Sequence, residues 1–293
     1  MNRSSRGAAL IIVLFIATIL GVVSALLIAK TKHHVERITI AKEYMQAERN
    51  ALSDLNTLIF NMQTSPYIIL GNNVLLTDTT FSDSMGLPES INLYNAPFTF
   101  RSSQVKIQDM GGLIPLMPID TSLIKRYLES LNWPQDQIYY FLDVLEDWQD
   151  NDGFRRLNGA ESNEYSVFGY PLNQPIQTTK DIGLFSKVSP ELLKTLATDK
   201  HIIQFGAGTS SINYAPDELL AVMSSEFEIQ NIIARRENSR SLGRTTLIDS
   251  YPSGNLIIRI ESRYKRAKAT KEIHILRRLG EERPFVISYW NEK

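Results

Sequence analysis

Residues 145–165, LEDWQDNDGFRRLNGAESNEY, gather Asp147, Asp150, Asp152, Glu161 and Glu164 within twenty-odd positions, with Gly153 and Gly159 to bend the chain. Calcium takes six to eight oxygen ligands in a flexible shell, and a loop of this composition supplies them. The spacing is not that of an EF-hand. If Asp150 and Asp152 filled loop positions three and five, position one would be Trp148 and position twelve Gly159, and neither carries a carboxylate. Two other readings stand beside the metal loop. One is a solvated acidic turn following a helix. The other is a hydrolytic acid–base pair drawn from Glu146, Asp147 and Glu161, as in glycosidases.

Elsewhere the chain is poor in chemistry. No nucleophile elbow, His-Glu-x-x-His pattern or phosphate loop occurs. The four histidines, His33, His34, His201 and His274, are scattered and read as surface or core residues. With no cysteine, disulfides and zinc–thiolate sites are excluded. A net charge of −1 and a pI near 6.5 give no reason to expect nucleic acid or anionic lipid as the main partner.

Several helices are expected to position the acidic loop. Asp120-Thr121-Ser122 can cap a helix carrying Ile124, Tyr127, Leu128 and Leu131. A second begins after Trp133-Pro134 and carries Ile138, Phe141, Leu142, Leu145 and Trp148, so the loop hangs from its end. Ser189-Pro190-Glu191 opens a third, with proline in the first turn, and Ala215-Pro216-Asp217-Glu218 opens a fourth. On either side the texture is that of strands and turns. YIILGNNVLL and INLYNAPFTFRSSQVKIQDM precede the helices; NLIIRIESRYKRAK, TKEIHILRRL and RPFVISYW follow them, with Gly280 between the last two. A helical segment therefore interrupts a β domain.

The chain starts MNRSSRGAALIIVLFIATILGVVSALLIAKTKHH, and its uncharged run from Ala8 to Ala29 is about 22 residues long. As a helix it spans roughly 33 Å, enough for a hydrocarbon layer of about 30 Å. Such a run is long for the core of a cleaved signal, which holds about 7–15 residues. Arg3 and Arg6 flank one end and Lys30, Lys32 and Arg37 the other, so charge does not set the orientation. From Lys32 to Asn61 there is neither proline nor glycine, and Ala41, Tyr44, Ala47, Ala51, Leu55, Leu58 and Ile59 recur three or four apart. One long helix is expected, apolar first and amphipathic later, ending before Pro66.

Arg6-Gly7-Ala8-Ala9-Leu10-Ile11 resembles the start of a type IV pilin-like protein, in which a prepilin peptidase cuts after the glycine and the hydrophobic helix is kept. The resemblance makes Gly7 the last leader residue and Ala8 the first mature one, the site of N-terminal methylation. Two departures stand out: Ala8 where such proteins have Phe, and Ile12 where they have Glu at the fifth mature position. A carboxylate inside a bilayer costs about 2.5–3.5 kcal/mol and persists only with a partner, which in such filaments is the terminal amine of the subunit ahead. Ile12 suits a subunit with nobody ahead of it.

Asp147-Trp148-Gln149-Asp150-Asn151-Asp152, then Gly159-Ala160-Glu161 and Glu164-Tyr165, is similar to the signature of the type II secretion minor pseudopilin K family. That resemblance implies calcium, with Asp147, Asp150, Asp152, Glu161 and Glu164 as ligands. Residues 211–220, SINYAPDELL, resemble the opening of a helix-hairpin-helix unit. No glycine pair follows, Glu226 and Glu228 intervene, and Arg235 and Arg236 are its main basic feature, so a structural role is expected. Glu261-Ser262-Arg263-Tyr264 agrees with the family's closing strands.

The fold expected is α+β: a transmembrane and stalk helix, a pilin-like antiparallel sheet domain, and a large all-α insertion. The divisions expected are a leader at 1–7, a membrane segment at 8–29, a stalk extension at 30–62 and a first β region at 63–114. The helical insertion is placed at 115–250, with the acidic loop at 147–165 and the hairpin-like element at 211–236, and the last strands at 251–293. The resemblance implies a non-enzymatic inner-membrane protein with its globular part in the periplasm, capping and initiating a pseudopilus. Its expected partners are I-like and J-like minor pseudopilins, the major pseudopilin and the prepilin peptidase, with no nucleic acid. A membrane-anchored hydrolase and a DNA-uptake protein are the rival readings.

Overall fold

A computed structural model describes residues 5–64, 91–166, 168–206, 211–242, 252–277 and 285–292. Helix α1 (Ser5–Thr64) runs unbroken for 60 residues and passes through Gly7 and Ala8. Its apolar side chains from Ile11 to Ile28 lie open on all sides, and this helix is long and apolar enough to cross a membrane. Thr18, one of two hydroxyl residues within that stretch, donates back to the Phe15 carbonyl at 2.8 Å, so it needs no partner from lipid.

The lower half of α1 lies on an antiparallel sheet. The described strands are β1 (Phe98–Phe100), β2 (Ser103–Asp109), β3 (Ile114–Met117), β4 (Ile202–Phe205), β5 (Leu256–Tyr264), β6 (Ala267–Arg277) and β7 (Phe285–Glu292). The large sheet has the order β1-β2-β5-β6-β7, with every pair antiparallel. Period-two alternation places Val105, Ile107, Ile258, Ile260, Ile273 and Ile275 on one face, buried against Ala51, Leu55, Leu58 and Met62 of α1. Burial of each large aliphatic side chain contributes about 1.5–3 kcal/mol.

The buried stripe of α1 differs from the expected one at its upper end. Ala41 and Tyr44 are exposed, and the stripe begins at Glu43 and takes in Asp54 and Asn61. The sheet explains Glu43 and Asp54. Arg266 reaches Glu43 at 3.3 Å, Lys271 reaches Glu48 at 2.9 Å, and Asp54 accepts from the hydroxyls of Ser102 and Ser103 at 2.8 and 2.7 Å. Charges that a periodicity count assigns to water thus belong to the contact face.

Strand β2 ends at Asp109 and its neighbour β5 begins at Leu256, paired in register. Between them lie α2 (Thr121–Ser130), α3 (Gln135–Gln149), α4 (Pro190–Ala197), α5 (Asp217–Met223) and α6 (Glu226–Leu242). Asp120 caps α2 by accepting from the Leu123 N–H at 2.9 Å, and proline opens α4. This segment has its own core, built on Ile124, Leu128, Ile138, Phe141, Leu145 and Trp148. It is not all-α. Strands β3 and β4 pair in parallel, Ile114 opposite Ile202 and Met117 opposite Phe205. Each is four residues long, too short for alternation to show, and the helices between them separate the two runs in sequence. The run YIILGNNVLL and Gly280 fall outside the described residues.

Candidate metal centre

Helix α3 sets the geometry of the acidic loop. Its buried face carries Phe141, Leu145 and Trp148, and the same face turns Asp147 fully inward. Trp148 stacks on Tyr170 with ring centres 5.4 Å apart and meets the Tyr165 and Phe185 rings at 5.9 and 5.2 Å. These aromatics hold the two limbs of the loop together beneath the carboxylates. The helix stops at Asp150, whose backbone N–H closes the last turn on the Glu146 carbonyl.

From Asp150 the chain doubles back across α3. Asp152 accepts from the Phe154 N–H at 2.8 Å, an Asx turn. Asp143 accepts from both the backbone and the side-chain amide of Asn158 at 2.9 Å. Gly159 then passes so close to Asp147 that a Cβ there would stand 1.9 Å from Oδ2. Lys187 reaches in from the far limb to the Gly159 carbonyl.

Arginine occupies the middle of the loop. Arg156 places Nε 2.6 Å from Glu146 Oε2 and Nη1 2.7 Å from Asp147 Oδ1 and 2.5 Å from Asp150 Oδ2. Burial alone would favour its neutral form, but these carboxylates outweigh that and hold the guanidinium firmly charged. Arg155 pairs with Glu164 at 2.7 Å, and Lys187 lies 3.8 Å from the same carboxylate. Partial burial pushes Glu164 up, yet the Glu161 N–H, Arg155 and Lys187 bring its carboxyl below the usual glutamate range.

Glu161 is different. It is only 6% exposed, its Oε1 has no hydrogen-bond partner, and Asp150 Oδ1 is likewise buried without one. Burial raises the Glu161 pKa, and repulsion from Asp147, Asp150, Asp152 and Glu164 raises it further. Tyr165 beneath is pushed up to about 12, mainly by burial. Orphaned carboxylate oxygens facing other carboxylates fit a hard cation.

All five expected ligands therefore lie around one loop, but they do not converge. Among the described residues, no three acidic or histidine side chains stand together as a ready-made ligand set. The expected ligands Asp147 and Asp150 are drawn onto Arg156 instead, and Glu164 onto Arg155. Counting carboxylates missed these two arginines, although the Arg155-Arg156 pair in mid-loop was visible. The rival acid–base pair loses ground here, because Glu146 and Asp147 are both engaged by one guanidinium.

The hairpin-like element is a 3-10 turn at Ile212–Tyr214 followed by α5 and α6. Arg236 turns back into the protein. It donates to the carbonyls of Asn213 and Ala215 at 2.9 and 2.7 Å, pairs with Asp217 at 2.6 Å and lies 4.0 Å over the Tyr94 ring. Its charge is thereby committed inside the chain.

A stalk helix laid on an antiparallel sheet, with a helical segment inserted between two of the strands, is a pilin-like architecture. Residues 107–198, from β2 through α4 and including the whole acidic loop, match the family model described as type II secretion system, protein K. No curated protein matches the chain by sequence. Five chains of solved structures match. One belongs to the GspK–GspI–GspJ complex of the enterotoxigenic Escherichia coli type 2 secretion system, at 15% identity and a TM-score of 0.46, covering 90% of this chain and 99% of that one. Residues 107–198 are thus similar to the type II secretion protein K family, the resemblance that the acidic signature carries in sequence.

Proposed function

We propose that this protein is a minor pseudopilin of a type II secretion system, anchored in the inner membrane with its globular part in the periplasm. One observation carries the reading: the segment matching protein K is mounted on a helix whose first half is apolar and uncovered. The apolar half anchors; the amphipathic half carries the sheet. The segment between β2 and β5 makes the head broader than a bare pilin sheet, and with Ile12 in place of a buried acid this suits the tip of a pseudopilus. I-like and J-like minor pseudopilins are the partners below it, with the major pseudopilin forming the shaft. Its work in this reading is binding and assembly rather than catalysis.

In this reading the acidic loop holds calcium. Asp147, Asp150, Asp152, Glu161 and Glu164 would hold it, and the partnerless oxygens of Asp150 and Glu161 support that choice. Bound calcium supplies two positive charges that relieve the repulsion among these acids. The chain itself orients the acids through α3 and the Trp148 cluster and keeps water from Asp147.

Leader processing tests the assignment. In cells expressing a prepilin peptidase, the mature chain should begin at Ala8 by intact mass, and Gly7→Leu should remain seven residues longer. A mature terminus near residue 30 would remove the membrane segment and overturn the proposal.

A further inference from the structure

Arg156 has an unusual share of the acidic loop. Its guanidinium touches Glu146, Asp147 and Asp150 at 2.6, 2.7 and 2.5 Å, and its own backbone N–H leans on Asp147 Oδ2 at 3.2 Å. Two of those acids belong to the proposed metal set; Glu146 does not. The side chain is 37% exposed, so the route from the carboxylates to water is open. On the other side, Glu161 Oε1 and Asp150 Oδ1 are buried and receive nothing. Asp150 is thus held by arginine through one oxygen and left bare at the other.

Charge completes the picture. Glu146, Asp147, Asp150, Asp152, Glu161 and Glu164 face only Arg155, Arg156 and Lys187 among the ion pairs of the described loop. The surplus is negative, and the arginine neutralises part of it without metal. A guanidinium and a hard cation cannot both sit on Asp147 Oδ1 and Asp150 Oδ2.

We propose that Arg156 is a displaceable internal counter-ion: it holds Asp147 and Asp150 in the metal-free protein and yields them to a divalent cation by swinging toward solvent on Glu146. This rests on the metal reading above and adds a control on it. The same arginine that keeps the metal-free loop folded lowers its apparent affinity, because binding must first break the arginine's contacts. A purely structural arginine would act in the opposite sense, since its loss would scatter the ligands and weaken binding.

The sign is measurable with calcium alone, by calorimetric titration of the full chain in detergent micelles after chelator treatment. Arg156→Gln should bind calcium about tenfold or more tightly than the parent. Its melting temperature should be lower without calcium and recover in excess calcium. Arg156→Lys keeps one charge but cannot span three carboxylates, so its affinity should fall between the two, and it carries the test if the glutamine variant does not fold. Equal or weaker binding in the variants, with calcium bound by the parent, overturns the role of Arg156 and leaves the metal centre standing. Absence of calcium binding in the parent and both variants overturns the metal centre and the arginine's role together.

Discussion

Gly159→Ala is the sharpest probe of how the acidic loop is packed. The added methyl would stand 1.9 Å from Asp147 Oδ2, 2.7 Å from Cγ and 3.2 Å from Arg156 Cβ. Ordinary contact needs more than 3.4 Å, so the carboxylate must retreat by over 1 Å. Asp147 has little room to do so, being fully buried on α3 with Trp148 packed beside it. Retreat would cost it the Arg156 side chain at 2.7 Å and the Arg156 N–H at 3.2 Å. Forcing a methyl into a packed site costs about 1–3 kcal/mol. Removing the partner of a buried carboxylate costs about 3–5 kcal/mol, reduced here because Arg156 is partly in water. Together they predict a loss of about 3–5 kcal/mol. The φ of Gly159 lies outside the left-handed region, so backbone strain adds nothing and the whole effect reports the clash. Urea unfolding followed by tryptophan fluorescence, which includes Trp133 and Trp148 of the insertion core, measures it directly. A loss below about 1 kcal/mol would refute the arrangement, because Asp147 would then be free to move.

Asp109→Ala should cost about 2–4 kcal/mol, since this buried carboxylate accepts from Gly111 N–H at 2.7 Å and Ser253 N–H at 2.8 Å and would strand both; an unchanged urea midpoint would contradict that. Arg236→Ala should cost about 2–3 kcal/mol, with Arg236→Lys recovering only part of it, because a lysine cannot reach two carbonyls and Asp217 together; full recovery by lysine would count against the fork geometry. Glu272 is held at a pKa of about 2, first by its hydrogen bond from His274 and then by Arg259, against the opposing effect of burial. A depressed carboxylate contributes stability above its unfolded value of 4.5 and loses it as pH falls toward 2, so Glu272→Gln should cost about 2 kcal/mol at pH 6 and almost nothing near pH 2; a difference that persists at the lower pH would sink the assignment.

What the sequence disclosed followed the strength of its local signals. Asp120, Pro134, Pro190 and Pro216 each stand just before or at the first residue of a helix, because capping and the missing proline N–H are decided within a few residues. The three closing strands were legible because long β-branched runs have a clear period of two. Strands β3 and β4 were not, since a parallel pair of four-residue strands leaves no periodic trace and depends on contacts across the whole helical segment. The polar members of the α1 stripe were hidden for a related reason: Glu43 and Asp54 are buried only because Arg266 and the Ser102–Ser103 pair arrive from distant strands. In the acidic loop the carboxylates were plain, but composition cannot say which basic side chain turns inward. Arg155 takes one acid and Arg156 three, although the two are neighbours in sequence.

The junction between sheet and insertion has a bearing on the tip assignment. Three independent ties cross it, each from a different part of the insertion. Asp109 bonds the first residues leaving the sheet to Ser253, just before the chain re-enters it. The Gln108 side chain donates to the Tyr214 carbonyl at 2.8 Å, where Gly112 passes so closely that a Cβ would come within 2.1 Å of that oxygen, and the Tyr214 ring is buried in the core shared by α1 and the sheet. Arg236 clamps the start of α5 and covers Tyr94, whose backbone bridges to Gln108 on β2. A hinge would need these buried polar groups to exchange partners, at about 1–3 kcal/mol for each one left unsatisfied. Displacement of α1 along its axis is therefore passed to the insertion through the sheet rather than absorbed at the junction. In the proposed tip position a head joined stiffly to its helix moves with it, whereas a tethered binding module would work as well on a loose linker.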